Sequence, residues 1–366
     1  MAVAAVAAAA VAAAVVVTEM VCENKNRLLL QFHITGRCNL RCKHCYRTEG
    51  NVEPLSTETV LRVIDEFAAL QQRYNELHGL HRRGHINITG GEPFIREDIE
   101  EILDHLGSYR DSLSFGVLSN GSFLGGREIE MLRRNGAAFV QLSIDGDRKT
   151  HDELRAPGDF DRTFRIARHL EKRGVRVHIS FTANRENFRF LPKVANICRR
   201  FGITKLWSDR LVPIGNGREL EELAITKELL PEYLAMLKKA QGNSLTRLLF
   251  PKTQVTANRA LQFLGAAGNI YSCSAGKSLI TVDEFGNILP CRRMPIHCGN
   301  ILETALEEVY FSNDTFRALR RNTIPKACGS CPYSYYCRGG AKCQAYAVSG
   351  SFVSRDPGCS VPEVRF

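Results

Sequence analysis

The sequence predicts an α/β protein in which a partial (β/α)6 TIM-type barrel is followed by a C-terminal cysteine-rich domain. Three observations lead to this prediction. Between residues 28 and 212, six β-rich runs alternate with helical runs over short connections, which is typical of a parallel sheet. Glycines and polar residues recur just after these runs, where barrels of this type place their active sites. After residue 265 the alternation stops, and eight of the 13 cysteines lie between Cys273 and Cys359.

The predicted elements follow one another from residue 28 onward. The strands are predicted at residues 28–34, 85–89, 115–119, 139–144, 176–182 and 205–212. The helices are predicted at residues 56–77, 96–106, 127–135, 163–173 and 187–200. The first helix begins at Ser56, a residue type that caps helix N-termini well. The chain is therefore divided into an extension at 1–26, the barrel at 27–215, a mostly helical bridge at 216–265 and the cysteine-rich domain at 266–366.

The N-terminal extension is a low-complexity segment. Residues 2–17 are only alanine and valine, and no positive charge precedes them, as it would in a signal peptide. The run is also shorter than the ~20 residues that usually span a bilayer, which argues against a membrane anchor. Two interpretations stay open: Met20 is the true start, or the run is a disordered extension.

Composition and charge narrow the function classes. The chain has 366 residues, of which 44% are hydrophobic and 24% charged, a balance typical of a globular protein with a sizeable core. Its formal net charge is +10, but no basic block interleaved with aromatics indicates a nucleic-acid surface. Closely spaced cysteines in a long chain favour metal or cluster ligation over disulfides, and hence a reducing, cytoplasmic compartment.

The first cysteine group directly follows the first predicted strand. Cys38, Cys42 and Cys45 have C-x3-C-x2-C spacing. Three thiolates so close together can hold three corners of a [4Fe–4S] cluster and leave the fourth iron open. A structural zinc site needs a fourth ligand, and His44 between two of the cysteines is poorly placed to supply it.

This motif after a first strand resembles that of the radical S-adenosylmethionine (SAM) superfamily. The resemblance implies that the amino and carboxylate groups of SAM chelate the open iron. An electron from the cluster then splits SAM into methionine and a 5′-deoxyadenosyl radical, which abstracts hydrogen from the substrate. The cofactor supplies the difficult chemistry, and the protein supplies orientation and exclusion of water.

Other motifs fit the same resemblance. Gly90, Gly91, Glu92 and Pro93 follow the second strand, like the family's GGEP segment, which binds the SAM amino group. Two glycines allow close backbone approach, and a carboxylate can accept hydrogen bonds from an ammonium group. The resemblance implies further SAM contacts after strands three to six. They are Asn120, Ser143, Asp145, Arg155 and Val212.

The C-terminal cysteines resemble a SPASM extension, which binds auxiliary iron–sulfur clusters. Cys328, Cys331, Cys337 and Cys359 fit one complete four-cysteine cluster. Cys273, Cys291 and Cys343 fit a second cluster with an open site, although Ala341 occupies the position where the pattern expects cysteine. Cys298 is either the fourth ligand or a buried small hydrophobe. Spacing alone leaves a zinc ribbon as the alternative.

The resemblance implies a peptide-modifying enzyme that forms crosslinks or thioethers, or epimerises residues. The implied partners are a peptide substrate and a low-potential electron donor such as flavodoxin or ferredoxin. Only about 27 residues precede the first strand, too few for a leader-binding domain, so a leader-binding partner is expected either to be a separate protein or to be absent. The alternatives are a small-molecule enzyme such as a tetrapyrrole decarboxylase, a sulfatase-type protein maturase, and a non-enzymatic iron–sulfur electron carrier.

Overall fold

A computed structural model of the chain describes residues 27–47, 54–266, 268, 270–321 and 323–362. The alanine- and valine-rich extension and Met20 lie outside the described residues. No helix in the described part of the chain is both long enough and apolar enough to cross a membrane.

Within the described residues, nine strands form one sheet in the order β7-β6-β5-β4-β3-β2-β1-β8-β9. The strands are β1 Leu29–His33, β2 Gly84–Thr89, β3 Leu113–Leu118, β4 Phe139–Ser143, β5 Val177–Ala183, β6 Lys205–Arg210, β7 Gln254–Thr256, β8 Leu279–Val282 and β9 Ile288–Leu289. All neighbours pair in parallel except β8 and β9. The predicted α/β class with a mostly parallel sheet is confirmed.

Most helices connect successive strands and pack their apolar residues into the core. In the described residues they are α1 Thr57–His78, α2 Ile99–Ser108, α3 Gly126–Arg134, α4 Arg148–Leu154, α5 Asp159–Lys172, α6 Leu191–Phe201, α7 Leu230–Gln241, α8 Ser244–Leu249, α9 Leu306–Ser312, α10 Asp314–Arg320, α11 Ser334–Cys337 and α12 Lys342–Ser349. The hydroxyl of Ser56 accepts a hydrogen bond from the Thr59 N–H at 3.2 Å and caps α1, as predicted. Val60, Ile64 and Phe67 recur at helical spacing and face the core.

The two faces of the strands differ in polarity. Leu30 and Phe32 of β1 lie on the strand face that packs into the apolar core, and both are fully buried. Gln31 between them borders a polar cavity that Asn87 of β2 and Trp207 of β6 also border. Alternate residues of a strand point to opposite faces of the sheet. Because the sheet curves around the cavity, the inner faces of strands that are far apart in the sheet border the same cavity.

The C-terminal region joins the same sheet. Strand β8 pairs in parallel with β1, with Phe32 opposite Val282. Parallel neighbours end at the same edge of a sheet. The loop that carries Cys38 after β1 and the segment that leads to Cys291 after β8 therefore start side by side. The sheet crosses the predicted boundaries at 215/216 and 265/266, since β7 lies in the predicted helical bridge and β8 in the predicted cysteine-rich domain.

Candidate active site

A cavity of about 680 Å³ lies at the carboxyl ends of the barrel strands. Two cysteine groups that are far apart in sequence border this single cavity. Of the residues predicted from sequence, it is lined by Cys38, Cys42, Cys45, Gly90, Gly91, Asn120, Ser143, Arg155, Val212, Cys273, Cys291 and Cys343. Glu92, Pro93 and Asp145 lie buried behind its wall. The volume of the cavity lies in the range of sites that bind a drug-sized molecule.

The loop with the first three cysteines rests on the GGEP segment. The Gly91 N–H donates to the Thr35 carbonyl and the Glu92 N–H to the Arg37 carbonyl, both at 2.8 Å. A Cβ at Gly91 would lie 2.0 Å from the Arg37 carbonyl oxygen, so only glycine permits this approach. These contacts bring the GGEP backbone against the chain just before Cys38.

The Glu92 carboxylate points into the protein instead of the cavity. Its Oε1 accepts from the Ser119 hydroxyl at 2.9 Å and from the Phe94 N–H at 3.2 Å, and its Oε2 accepts from the Asn120 N–H at 2.7 Å. Burial raises the pKa of Glu92 to about 7, although these hydrogen bonds favour the charged form. Glu92 therefore positions the loop after β3, and the Asn120 side chain lies 3.9 Å from the Cys38 sulfur.

A buried charge network supports Cys42. The Arg155 guanidinium donates to Asp145 Oδ2 at 2.6 Å and approaches the Cys42 sulfur at 3.7 Å and His44 Nε2 at 3.3 Å. Asp145 Oδ1 accepts from the Thr182 N–H at 2.7 Å. Burial alone would raise the pKa of Asp145, but Arg155 and then His44 outweigh it and hold that pKa below its ordinary value.

Burial raises the pKa of the Cys42 thiol to about 11, while the Arg155 charge acts in the opposite direction. A thiol must lose its proton before it can ligate iron. The guanidinium therefore stabilises the ligating form of Cys42, and Asp145 holds the guanidinium in place. Arg155 is the residue that caps the C-terminus of α4, so this short helix positions the guanidinium.

Replacing Arg155 with lysine is expected to lower the rate of the SAM cleavage that the sequence resemblance implies by about ten- to a hundredfold, the range typical of groups that orient metal ligands. Lysine keeps the charge but cannot contact Asp145, Cys42 and His44 at once. The measurement is 5′-deoxyadenosine formation by the reduced protein. Arg148→Lys is the matched control, because Arg148 pairs with Asp161 on the exposed surface. Equal rates for the two variants would contradict the assigned role of Arg155.

The second cysteine group lies across the cavity from the first. Cys273, Cys291 and Cys343 border the cavity wall, and burial raises the pKa of Cys291 and Cys343. Arg293 next to them acts in the opposite direction and pairs with Asp209 at 2.8 Å. Basic side chains thus face both thiol groups, which suits thiolate-bound iron–sulfur clusters.

Cys298 lies apart from this group. It does not border the cavity, and its thiol contacts the Ile296 carbonyl at 3.4 Å while packing against the main apolar core. Burial raises its pKa to about 11. Of the two interpretations left open by sequence, this placement favours the small hydrophobe, although its side chain is half-buried instead of buried.

Four further cysteines of the C-terminal region border a separate cavity of about 20 Å³. Cys328, Cys331, Cys337 and Cys359 border it, together with Phe263 and Tyr333, whose rings meet edge to face at 5.2 Å. Within the described chain, no three or more His, Cys, Asp or Glu residues converge closely enough to hold a single metal ion. The cysteines of each set line a common cavity, and thiolates are the ligands that iron–sulfur clusters use.

Several cavity residues were not predicted from sequence. They lie at alternate positions of the strands and include Gln31, Asn87, Thr89, Gln141, Ser180, Thr182, Trp207 and Asp209. Arg259 reaches the cavity from the bridge and was not predicted either, whereas Arg292 and Arg293 adjoin Cys291 and are candidates from sequence for contacts to cluster sulfurs or substrate. The signal for the first set was present in the sequence, because a polar residue between two apolar ones in a buried parallel strand marks the interior face of a barrel.

Comparison with known proteins identifies both parts of the chain. Residues 32–189 match the radical SAM superfamily, and residues 273–332 match the SPASM iron–sulfur cluster-binding domain. An AdoMet-dependent heme synthase of Oleidesulfovibrio alaskensis is 28% identical over 353 residues, covering 91% of this chain and 87% of the relative. The mycofactocin maturase MftC of Mycolicibacterium smegmatis is 29% identical over 342 residues, covering 91% and 82%.

Solved structures share the fold. Streptococcus suis SuiB bound to its precursor peptide SuiA superposes with a TM-score of 0.68 at 17% identity, covering 92% of this chain and 76% of that one. Polyhistidine-tagged anSMEcpe with bound AdoMet has a TM-score of 0.71 at 16% identity, covering 91% and 94%. At these identities the likeness shows the fold, and the second of the two neighbours was solved with AdoMet in place.

Proposed function

The chain belongs to the radical SAM superfamily and carries a SPASM domain, and from this premise we propose that it cleaves SAM reductively to modify a ribosomally made peptide. The observation that supports this proposal is that two cysteine groups line a single cavity. The first group is Cys38, Cys42 and Cys45, and the second is Cys273, Cys291 and Cys343. A substrate in this cavity lies between a radical source and a second electron-accepting site. The radical SAM domain implies a [4Fe–4S] cluster and SAM, and the SPASM domain implies auxiliary iron–sulfur clusters.

When bound and reduced, the first cluster supplies the electron that splits SAM and so generates the hydrogen-abstracting 5′-deoxyadenosyl radical. Cys38, Cys42 and Cys45 hold this cluster in the proposal. The Gly90 and Gly91 backbone, Asn120, Ser143, Arg155 and Val212 border the space that SAM would occupy. Glu92 and Asp145 act through their neighbours, since their carboxylates are fully buried and already hydrogen-bonded.

Two auxiliary sites follow from the same placement. Cys328, Cys331, Cys337 and Cys359 supply four thiolates to one cluster. Cys273, Cys291 and Cys343, at the wall of the main cavity, would supply three thiolates to another. A cluster held there would supply an acceptor for the electron that remains after hydrogen abstraction.

The peptide assignment is supported by the maturase relative and by a fold neighbour that was solved with a precursor peptide. A low-potential donor such as flavodoxin or ferredoxin is the proposed electron source, and the site of action is proposed to be the cytoplasm. A tetrapyrrole decarboxylase is the second candidate. The heme synthase relatives and the seven arginines that border the cavity favour it, because tetrapyrroles carry several carboxylates.

A substrate comparison separates the two candidates. The reduced protein would receive SAM with either iron coproporphyrin III or the short peptides encoded next to its gene, and products would be analysed by mass spectrometry. The proposal predicts a peptide that has lost two hydrogens, or has taken up solvent deuterium, together with 5′-deoxyadenosine. Unchanged peptides and a porphyrin that has lost carbon dioxide would reject the peptide assignment in favour of the second candidate.

A further inference from the structure

The cavity wall is rich in positive charge, and most of this charge is compensated. Seven arginines border the cavity, and Asp209 is the one acidic residue among the described lining residues. Five of these arginines form ion pairs with carboxylates at the cavity wall or behind it. The pairs are Arg155 with Asp145, Arg210 with Asp356, Arg293 with Asp209, and Arg47 and Arg292 with Glu284. Arg41 also has a contact within the chain.

Arg259 differs from these arginines. Among the described residues, no carboxylate lies within ion-pair distance of its guanidinium, and its backbone N–H makes the hydrogen bond to Gln262. The guanidinium carbon lies 4.3 Å from the centre of the Trp207 ring, a cation–π distance. Trp207 is itself held by a hydrogen bond from Nε1 to Gln141 Oε1 at 3.2 Å. A fixed aromatic platform therefore orients a half-buried guanidinium at the cavity wall.

The stacking leaves the donors in the guanidinium plane available. A planar guanidinium matches a carboxylate through two parallel N–H···O bonds. One unpaired positive charge balances one carboxylate, whereas a phosphate dianion would need further donors. Asp209 lies close enough for the Arg259 charge to help lower the pKa of its carboxyl group, but its ion pair is with Arg293 at 2.8 Å.

We propose that Arg259, stacked on Trp207, binds a carboxylate of the substrate and orients the substrate between the two cysteine groups. This inference rests on the proposed function and adds the chemical class of the group that is recognised. The carboxylate belongs either to a peptide or to the side chain of a tetrapyrrole. Arg259 is then a specificity-determining residue that contacts substrate at the auxiliary side of the cavity.

Binding to the unreduced holoprotein tests this inference without requiring SAM cleavage. SAM would be present throughout, so that its own carboxylate cannot occupy the subsite unnoticed. One arm compares coproporphyrin III with its tetramethyl ester. The other compares a randomised hexapeptide library carrying free carboxyl groups with the same library after methyl esterification of all its carboxyl groups. Retained ligand is quantified after anaerobic desalting.

In one arm, we expect the wild type to retain about tenfold or more of the acid relative to the neutral form, which is the effect of a charge-assisted hydrogen bond. The arm that shows this preference identifies the source of the carboxylate. Arg259→Gln should remove the preference, and Arg259→Lys should keep part of it. Arg247→Gln, on an exposed helix outside the cavity, is the control and should match the wild type.

Two outcomes would overturn the inference. One is equal retention of acid and neutral forms by the wild type in both arms. The other is an unchanged preference in Arg259→Gln together with a shifted auxiliary-cluster potential, which would make Arg259 a counter-ion of the cluster near Cys291. Formation of 5′-deoxyadenosine by the wild type is a separate measurement. Its absence would reject the proposed function and would leave the carboxylate-binding result to be judged by itself.

Discussion

Replacing Gly91 with alanine is expected to remove the iron held by the first cysteine group and abolish SAM cleavage. The new Cβ would lie 2.0 Å from the Arg37 carbonyl oxygen and 3.0 Å from the Cys38 Cβ. Backbone atoms cannot rotate aside as a flexible side chain can, so the loop that carries Cys38 must move. Anaerobic reconstitution followed by iron analysis should show a loss of about four irons per chain, the content of one [4Fe–4S] cluster.

Gly126→Ala is the matched control for this prediction. Gly126 begins α3, and a Cβ there would meet its nearest neighbour, Arg173, at 4.0 Å. The control should therefore keep full iron and activity. Retention of the auxiliary iron and of the circular dichroism spectrum in Gly91→Ala would show that the variant still folds. A Gly91→Ala protein with full iron and normal 5′-deoxyadenosine formation would contradict the close backbone packing at this position.

Removing the carboxylate of Asp356 is expected to destabilise the protein by about 3–5 kcal/mol, because it leaves a buried arginine without its partner. Asp356 binds both terminal nitrogens of Arg210 in β6, at 3.1 and 2.5 Å. It also accepts from the Ala341 N–H at 3.0 Å and the Gly358 N–H at 2.9 Å. Ala341 lies two residues before Cys343, and Gly358 directly precedes Cys359. Asp356→Ala should therefore also lower the auxiliary iron content.

The free energy of unfolding would be obtained from urea titration followed by circular dichroism. Glu232→Ala provides the comparison, since Glu232 and Arg189 form an equally short two-point pair that is exposed. Exposed pairs contribute about 0–1 kcal/mol, so this variant should unfold close to the wild type. Similar losses in the two variants would show that the Arg210 pair does not tie the barrel to the C-terminal region.

The barrel strands were largely predictable because each is a short apolar run that ends in a glycine or polar turn. The observed strands begin and end within one or two residues of most predictions; β6, for instance, is Lys205–Arg210 against a prediction of 205–212. Strand β8 was not predicted. It pairs with β1, about 250 residues earlier in the chain, and such non-local pairing leaves no local periodicity in a glycine- and cysteine-rich segment.

The site was predictable to the extent that it follows motifs. The cysteine groups and Gly90, Gly91, Asn120 and Arg155 border cavities where the motifs indicated a site. Residue type alone did not reveal that the carboxylates of Glu92 and Asp145 are buried. The stacking of Arg259 on Trp207 depends on tertiary structure, since these residues are 52 positions apart and belong to no motif.

The most direct test of the central claim is 5′-deoxyadenosine formation from SAM by the anaerobically reconstituted and reduced protein. A variant with Cys38, Cys42 and Cys45 all replaced by alanine would be assayed in parallel, with iron counted in both. We expect 5′-deoxyadenosine from the wild type, none from the variant, and a loss of about four irons that leaves the auxiliary iron in place. A wild type that holds iron but never cleaves SAM under any reductant would contradict the proposed activity and favour an iron–sulfur electron carrier.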